Sequence, residues 1–350
     1  MIKLNFRRGS AFASSKAKKY LESINPQDIK KITVIRHAAI GDMVVMRPVL
    51  IEMRKYFPNA HITLSIVENY SYGAPVDLVD SVHILSKRKQ DGSKTSLFER
   101  IEQIKKLEDQ EIIFDMADTS ASLMVNLFTK AKLKIGFTYR GFKRIFYDIS
   151  TLRSDFVLET ESMMHQLNIL GAKTQYFPYD YRLSNKRMDK ENPYIIYFAG
   201  ASIKNKCWNE NNFIELLKKT VVEYPEYKHV ILKGIKDDEQ FNDIYKPFEK
   251  YENVIHQDAL PLDQIYDYLA QATLLVSADT GIRNMAIATN TPTVGIMLAY
   301  GAAPFRYYPR LPIHEIVFNT DLTQPSVEKV YETFVGLEKW LCFNLKNTSK

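Results

Sequence analysis

Three short segments carry the residues that can do chemistry, and each joins an apolar run to a helical pattern. The first is VIRHAAIGDMVVMRPVL (34–50), in which Gly41 and Asp42 precede an apolar helix. The Asp42 carboxylate has two interpretations. It is an N-cap that accepts hydrogen bonds from the first helical turn, or it is a general base at the ligand-binding edge of an open α/β sheet.

The second segment is FAGASIKNKCWNENNF (198–213), where a strand-like run ends in small residues before a polar loop. Small residues let a ligand approach the backbone, and Ser202 can donate a hydrogen bond. Lys204 and Lys206 offer positive charge to a phosphate. The alternative is a loop with solvated lysines and a Trp208 that packs under the next helix.

The third segment is LLVSADTGIRNMAIATNTPTVGIM (274–297), in which Asp279, Thr280 and Gly281 open a helix after a strand. The unpaired amides and the positive dipole end of such a helix form a site for a diphosphate. Asp279 alone is explained equally well as the N-cap. The two interpretations are compatible, because a capping Asp also fixes the loop around a phosphate.

Two weaker patterns complete the set of candidate site residues. In KGIKDDEQF (233–241), Asp238 and Glu239 are placed to take ribose hydroxyls, although an acidic first helical turn explains them too. KAKLKIGFTYRGFKRIF (130–146) interleaves cations with aromatic residues, which suits an anionic sugar. An ordinary strand and loop with solvated cations would explain the same pattern. The candidate acceptor-binding residues in this segment are Lys134, Arg140, Lys143 and Arg144.

These segments lie in a chain that alternates strand-like apolar runs with helical patterns from residue 31 to residue 297. Such alternation predicts parallel sheets built from βαβ units. The polar stretch 179–193 interrupts this alternation and is typical of an interdomain linker. We therefore expect an α/β protein of two doubly wound domains, 1–180 with a basic extension over 1–30, and 194–322 after a linker at 181–193. A final helix in 323–350 is expected to pack back on the first domain, and ligands are expected between the domains.

The composition is that of a globular protein, with 45% hydrophobic and 25% charged residues. Residues 1–180 hold 27 Lys and Arg against 20 Asp and Glu, a net +7, whereas residues 181–350 hold 20 against 21. This excess suits an anionic partner, or only solubility. The basic N-terminus lacks the apolar core of a secretory signal, so we expect a cytoplasmic protein. Its Arg7, Arg8, Lys16, Lys18 and Lys19 offer charge to the inner membrane surface.

Together the segments resemble glycosyltransferase family 9, the heptosyltransferases of lipopolysaccharide core assembly. IRHAAIGDMVVMRPVL matches the family's strand, Gly-Asp and Pro-containing helix, GASIKNKCW its small-residue loop before Lys-x-Trp, and SADTG its Ser-x-Asp-Thr-Gly. The resemblance spans about residues 31 to 300. It implies a GT-B fold, in which two Rossmann-like domains face a central cleft, and a metal-independent inverting transfer without a cofactor.

By the same resemblance, the donor is a nucleotide diphosphate sugar, typically ADP-heptose, and the acceptor an anionic glycolipid or lipopolysaccharide core. Asp42 is then the base, Lys206 lies on the donor phosphates, and Asp279, Thr280 and Gly281 lie at the diphosphate. The chain departs from the family at DTGIRNMA, where Asn284 replaces a His and Arg283 precedes it. Asn cannot carry charge, which Arg283 would have to supply.

Two other functions stay open at this point. One is another GT-B nucleotide-sugar enzyme, such as an epimerase, which needs no acceptor. The other is a non-catalytic nucleotide or glycolipid binder that lacks the family's His. Nucleic-acid binding is not expected, because the basic excess forms no recognisable module. The two cysteines, Cys207 and Cys342, have no metal-site spacing.

Overall fold

The structure is a computed structural model that describes residues 12–68, 71–88, 91–137, 145–201, 203–298, 304–321 and 323–347. The chain divides into two compact units, Met1–Tyr179 and Asp180–Lys350. Residues 181–193 contain neither helix nor strand. Each unit is built around its own sheet.

The first unit holds seven strands and five helices among its described residues. The strands are β1 (Phe12–Ala13), β2 (Lys31–Ile35), β3 (His61–Val67), β4 (Ser81–Leu85), β5 (Gln110–Asp115), β6 (Ala131–Phe137) and β7 (Ile149–Thr151). The helices are α1 (Ser15–Ser23), α2 (Ile40–Tyr56), α3 (Leu97–Lys105), α4 (Ser120–Phe128) and α5 (Glu159–Asn168).

The strands of the first unit form one sheet in the order β1-β7-β6-β5-β2-β3-β4. Neighbouring strands are parallel except for β1, which runs antiparallel to β7. The central β2 is buried from Ile32 to Ile35, because helices cover both faces of a sheet built by crossover connections. This arrangement brings the ends of β2, β5 and β3 to one carboxyl edge, where a doubly wound sheet binds its ligands.

The second unit holds six strands and five helices in its described part. The strands are β8 (Tyr194–Phe198), β9 (Lys228–Leu232), β10 (Val254–Gln257), β11 (Leu274–Ala278), β12 (Thr293–Ile296) and β13 (His314–Val317). The helices are α6 (Glu210–Glu223), α7 (Asn242–Tyr245), α8 (Leu262–Gln271), α9 (Gly281–Ala288) and α10 (Val327–Asn347).

The second sheet is entirely parallel, in the order β10-β9-β8-β11-β12-β13. Strand order therefore reverses between β8 and β11, and this is the switch point at which open α/β sheets bind ligands. The predicted strands are all present. The sequence analysis missed β1, β4, β7 and β13, which are short and lie at or near sheet edges, where apolar runs are weak.

The last helix, α10, packs inside the second unit against α6, β12 and β13. Val330, Phe334 and Leu337 supply its buried face. The expected contact of this helix with the first domain stays a prediction. No helix in the described part of the chain is both long and apolar enough to span a lipid bilayer.

Candidate active site

Asp42 lies at the carboxyl edge of the first sheet, in the first turn of α2. Strand β2 ends at Ile35, and α2 begins at Ile40 with Ala39 as its N-cap residue. Asp42 is the third residue of the helix, so its interpretation as an N-cap is wrong. Its side chain is 25% exposed, and a carboxylate in a first turn is stabilised by the helix dipole. Gly41 is buried in the same turn.

A buried arginine that the sequence analysis did not single out contacts Asp42. Arg36 directly follows β2 and is 1% exposed. Its Nη2 donates to Oδ1 of Asp42 over 3.2 Å, and its Nη1 donates to Oε1 of Glu159 over 2.8 Å. Glu159 opens α5 and is fully buried. The sequence does show that Arg36 is a charged residue at the end of the apolar run KITVIR. It does not show the buried partner, because Glu159 is distant in the chain.

His37, the next residue after Arg36, adds a neutral group to this edge. It is buried, and its Nδ1 lies 3.4 Å from Oγ1 of Thr119, the N-cap residue of α4. Burial lowers the pKa of His37 to about 3. The imidazole is therefore uncharged at neutral pH and adds no positive charge beside Asp42.

In the second unit, Lys206 and Asp279 form an ion pair. Lys206 ends a short 3₁₀ helix, Lys204–Lys206, in the loop after β8, and Asp279 follows β11. Because β8 and β11 are neighbouring parallel strands, their carboxyl ends meet. The Nζ of Lys206 donates to Oδ2 of Asp279 over 2.7 Å, with both side chains partly exposed. Lys204 is exposed on the same loop.

Helix α9 begins beside this ion pair. Its N-cap is Thr280, whose hydroxyl accepts from the amide of Arg283 over 3.3 Å. Asp279 precedes the cap, so its interpretation as the N-cap is wrong. The amides of Gly281 and Ile282 have no hydrogen-bond partner within the part of the chain that the structure describes. They are donors for an anion, aided by the helix dipole.

Arg283 points into the protein rather than toward solvent. Its side chain is fully buried and lies across Gly295 on β12, where Nη1 donates to the carbonyl of Tyr307 over 3.2 Å. Its Nε and Nη2 have no hydrogen-bond partner among the residues that the structure describes. Burial lowers the pKa of the guanidinium, although the charge of Asp279 opposes the shift. Direct donor contact by Arg283 stays a prediction that this burial disfavours. Asn284 is also buried.

Glu239 is the acidic residue that reaches the loop after β8. It belongs to a 3₁₀ helix, Asp237–Glu239, that follows β9. Its carboxylate packs against Gly234 and against Gly200, where an added Cβ would lie 3.1 Å from Oε1. Lys236 Nζ lies 3.2 Å from the same oxygen. Glu239 thus lies between the segments that follow β8 and β9, whereas Asp238 is exposed.

Of the predicted acceptor-binding residues, only Lys134 is described, and the structure places it away from the carboxyl edge. It lies inside β6, half-buried, and its Nζ donates to the carbonyl of Asn126 near the carboxyl end of α4. Burial lowers the pKa of its ammonium group. Lys134 ties a helix end to the sheet, and acceptor binding by this residue stays a prediction that its placement disfavours. Outside the described residues lie Ser202, Arg140, Lys143 and Arg144.

The fold is shared with solved glycosyltransferases. A glycosyl transferase family 9 protein from Veillonella parvula has a TM-score of 0.68 at 17% identity, covering 91% of this chain and 99% of its own. The E. coli heptosyltransferase WaaC with ADP-2-deoxy-2-fluoro heptose has a TM-score of 0.67 at 17% identity, covering 87% of this chain and 98% of its own. The E. coli ADP-heptose lps heptosyltransferase II has a TM-score of 0.62 at 18% identity, covering 89% of this chain and 99% of its own. These similarities establish the GT-B fold.

Sequence comparison supplies the family. A search of curated proteins gives no match. The family model for glycosyltransferase family 9 (heptosyltransferase) matches residues 100–331, about two thirds of the chain. This match includes Lys206 and Asp279 but starts after Asp42. The chain thus belongs to glycosyltransferase family 9, and the protein is a glycosyltransferase.

Proposed function

We propose that the protein transfers a heptose from ADP-heptose to a lipopolysaccharide core sugar, with inversion at the anomeric carbon and Asp42 as the general base. The observation that carries the proposal is the Lys206–Asp279 ion pair beside the open amides of Gly281 and Ile282. A solved structure of similar fold holds an ADP-heptose analogue. These groups form a site for a diphosphate leaving group.

The second unit would bind the donor. The amides of Gly281 and Ile282 donate to one phosphate, and Lys206 contributes a mobile positive charge. Asp279 holds that ammonium at the start of α9 until the diphosphate shares it. Glu239, packed against Gly200 and Gly234, is placed to accept hydrogen bonds from ribose hydroxyls.

The first unit would activate the acceptor. An acceptor hydroxyl oxygen attacks the anomeric carbon from the face opposite the diphosphate, and its proton passes to the Asp42 carboxylate. The bond from the anomeric carbon to the diphosphate oxygen breaks, and its electron pair leaves with the diphosphate. Lys206 and the amides at α9 stabilise the negative charge that develops there.

The anionic acceptor accounts for the positive first half of the chain. Lys16, Lys18 and Lys19 are exposed residues of α1, whereas Ala17 of the same helix is buried. We place them against anionic headgroups at the cytoplasmic face of the inner membrane, where each basic residue near the surface contributes about 1 kcal/mol. Sedimentation with anionic and neutral vesicles tests this contact, and equal binding to both would contradict it.

A transfer assay read by mass spectrometry tests the function. Purified protein receives ADP-heptose or another nucleotide sugar, with a de-acylated lipopolysaccharide core as acceptor. The expected product is heavier by one heptose. Asp42→Asn should reduce its formation by about 10²–10⁴-fold and leave ADP binding unchanged.

The other outcomes identify what fails. Transfer from a different donor keeps the mechanism and makes Asn284 a residue of donor choice. An epimerised sugar formed without acceptor indicates an epimerase. Bound nucleotide without turnover on any donor indicates a binding protein. Full activity of Asp42→Asn removes the proposed base.

A further inference from the structure

Four alternating charges run through the first unit from Arg153 to Asp42. Arg153 donates to both carboxylate oxygens of Glu159, Nη2 to Oε1 over 2.6 Å and Nε to Oε2 over 3.1 Å. Glu159 accepts from Arg36 on Oε1, and Arg36 donates onward to Asp42. The two inner charges are almost completely buried, whereas the outer two reach solvent.

The guanidinium of Arg36 is held on the side remote from Asp42. Its Nη1 donates to the carbonyl of Met116, just after β5, as well as to Glu159 at the start of α5. A guanidinium is planar, so fixing Nη1 by two acceptors also fixes the direction of Nη2. That nitrogen meets Oδ1 of Asp42 at 3.2 Å. The rotation of the Asp42 carboxylate is therefore set by groups on β5 and α5.

The free-energy cost of burying the Arg36 guanidinium has to be offset by favourable interactions. A buried charge is expensive to desolvate, and its pairing offsets the cost only with good geometry. Replacing a whole buried ion network by apolar side chains of similar volume is often neutral or stabilising, whereas removing one partner alone is costly. Stability alone therefore does not account for the buried Arg36–Glu159 pair, and the contact of Arg36 with Asp42 indicates a role in orienting the carboxylate.

We propose that Arg36 is a positioning residue for Asp42, and that Glu159 and Arg153 hold Arg36 in place. The inference rests on the proposed function of Asp42 as the base. By engaging Oδ1, Arg36 selects one rotation of the carboxylate, which sets the direction from which the acceptor hydroxyl is deprotonated. A displacement of about 1 Å at such a site costs on the order of 10²-fold in rate.

The competing explanation is structural, because Arg36 also joins β2, β5 and α5. The same helix offers a matched control. Arg47 in α2 is also buried and forms a bidentate pair with Asp77, over 2.8 and 2.6 Å. Arg47→Lys perturbs a buried arginine pair on the helix that carries Asp42, without touching Asp42.

The test compares Arg36→Lys with Arg47→Lys in the full-length protein. A lysine ammonium is a single point charge and cannot reproduce the planar contacts of a guanidinium. We expect Arg36→Lys to lower kcat about 10–100-fold, with the KM for the nucleotide sugar and the affinity for ADP unchanged. Arg47→Lys should keep kcat within about twofold at a comparable loss of Tm.

A double-mutant cycle separates positioning from stability. If Arg36 acts through Asp42, Arg36→Lys should cause no further loss of rate in an Asp42→Asn background. If Arg36 is only structural, the same fractional loss appears in both backgrounds and the inference is overturned. Should Arg36→Lys not fold, Glu159→Gln serves instead, since it loosens Arg36 without touching Asp42. It should lower kcat without changing ADP affinity.

The outcomes distinguish this inference from the proposed function. An inactive Asp42→Asn with a fully active Arg36→Lys keeps the base and overturns the positioning role. A fully active Asp42→Asn overturns the proposed base, and the positioning role with it.

Discussion

The ammonium of Lys206 lies 2.7 Å from Oδ2 of Asp279, although 73 residues separate them in the chain. The pair joins the loops after β8 and β11 at the point where the strand order of the second sheet reverses. Its lysine stands beside the unpaired amides that open α9. In the proposed mechanism, this cation is already in place when a diphosphate arrives, so little ordering is needed on binding.

Lys206→Met should weaken ADP binding while leaving the fold intact. One charged hydrogen bond to a phosphate contributes about 1.5–3 kcal/mol, which corresponds to a loss of roughly 10–100-fold in affinity by isothermal titration calorimetry. The effect on stability should stay below about 1 kcal/mol, because the ion pair is partly exposed. Lys219→Met is the control, since Lys219 pairs with Glu328 in the same unit. Equal ADP affinity in both variants would remove Lys206 from the donor site.

Gly295→Ala should destabilise the second unit. An added Cβ would lie 2.4 Å from Nε of the buried Arg283, whose Nη1 is held by a hydrogen bond to the carbonyl of Tyr307. Overpacking of this kind costs about 1–3 kcal/mol in the free energy of unfolding. Gly336→Ala is the matched control, because Gly336 lies in α10 with open space around it. There alanine should stabilise by about 0.5–1 kcal/mol. Denaturant unfolding measures both, and a neutral Gly295→Ala would contradict the packing described here.

Stability should fall as the pH drops from about 6.5 toward 4. His229 is buried, with Nε2 3.0 Å from the Tyr224 carbonyl and Nδ1 3.1 Å from the Tyr197 hydroxyl. Burial lowers its pKa to about 4. Between that value and its unfolded pKa of about 6.5, the unfolded chain binds a proton that the folded chain does not. The contribution of His229 to the free energy of unfolding is therefore fully present above about pH 6.5 and falls by about 1.4 kcal/mol per pH unit between about pH 6.5 and pH 4.

His229→Gln tests this dependence by calorimetry between pH 7 and pH 4. The variant should show a shallower loss of stability with falling pH, although part of the slope remains. His37 and His314 contribute that part, because burial lowers the pKa of each to about 3. His165→Gln, a substitution at an exposed position, is the control. An identical slope in the two variants would contradict a lowered pKa of His229 in the folded state.

EDTA should leave the transfer rate unchanged, as the family resemblance implies for a metal-independent reaction. In this mechanism, Lys206 and the amides at α9 neutralise the diphosphate. The assay compares rates after chelation with rates after adding back Mg²⁺ or Mn²⁺. A rate that disappears with EDTA and returns with either ion would assign the leaving-group charge to a metal.

Sequence patterns predicted most of the strands of both sheets. They also predicted which loops carry the candidate donor site. The near-continuous apolar runs predicted the buried parallel strands, because strands covered on both faces need apolar residues at every position. Small and charged residues directly after β8 and β11 then pointed to one edge, since the carboxyl ends of parallel strands meet there. Strands β1, β4, β7 and β13 were missed because each has at most five residues, too few for a clear apolar run, even though β7 is completely buried.

What the sequence by itself determined was thus the α/β class, the order of the strands along the chain, and which loops bear chemistry. Tertiary structure decided the partners of the charged residues. Arg36 and Glu159 are 123 residues apart, and their pairing depends on how β2, β5 and α5 pack. The direction of Arg283 was decided in the same way, because Gly295 on the neighbouring strand leaves room for a guanidinium. A local pattern records propensity and burial, whereas the energy of a buried charge depends on groups that only folding brings near.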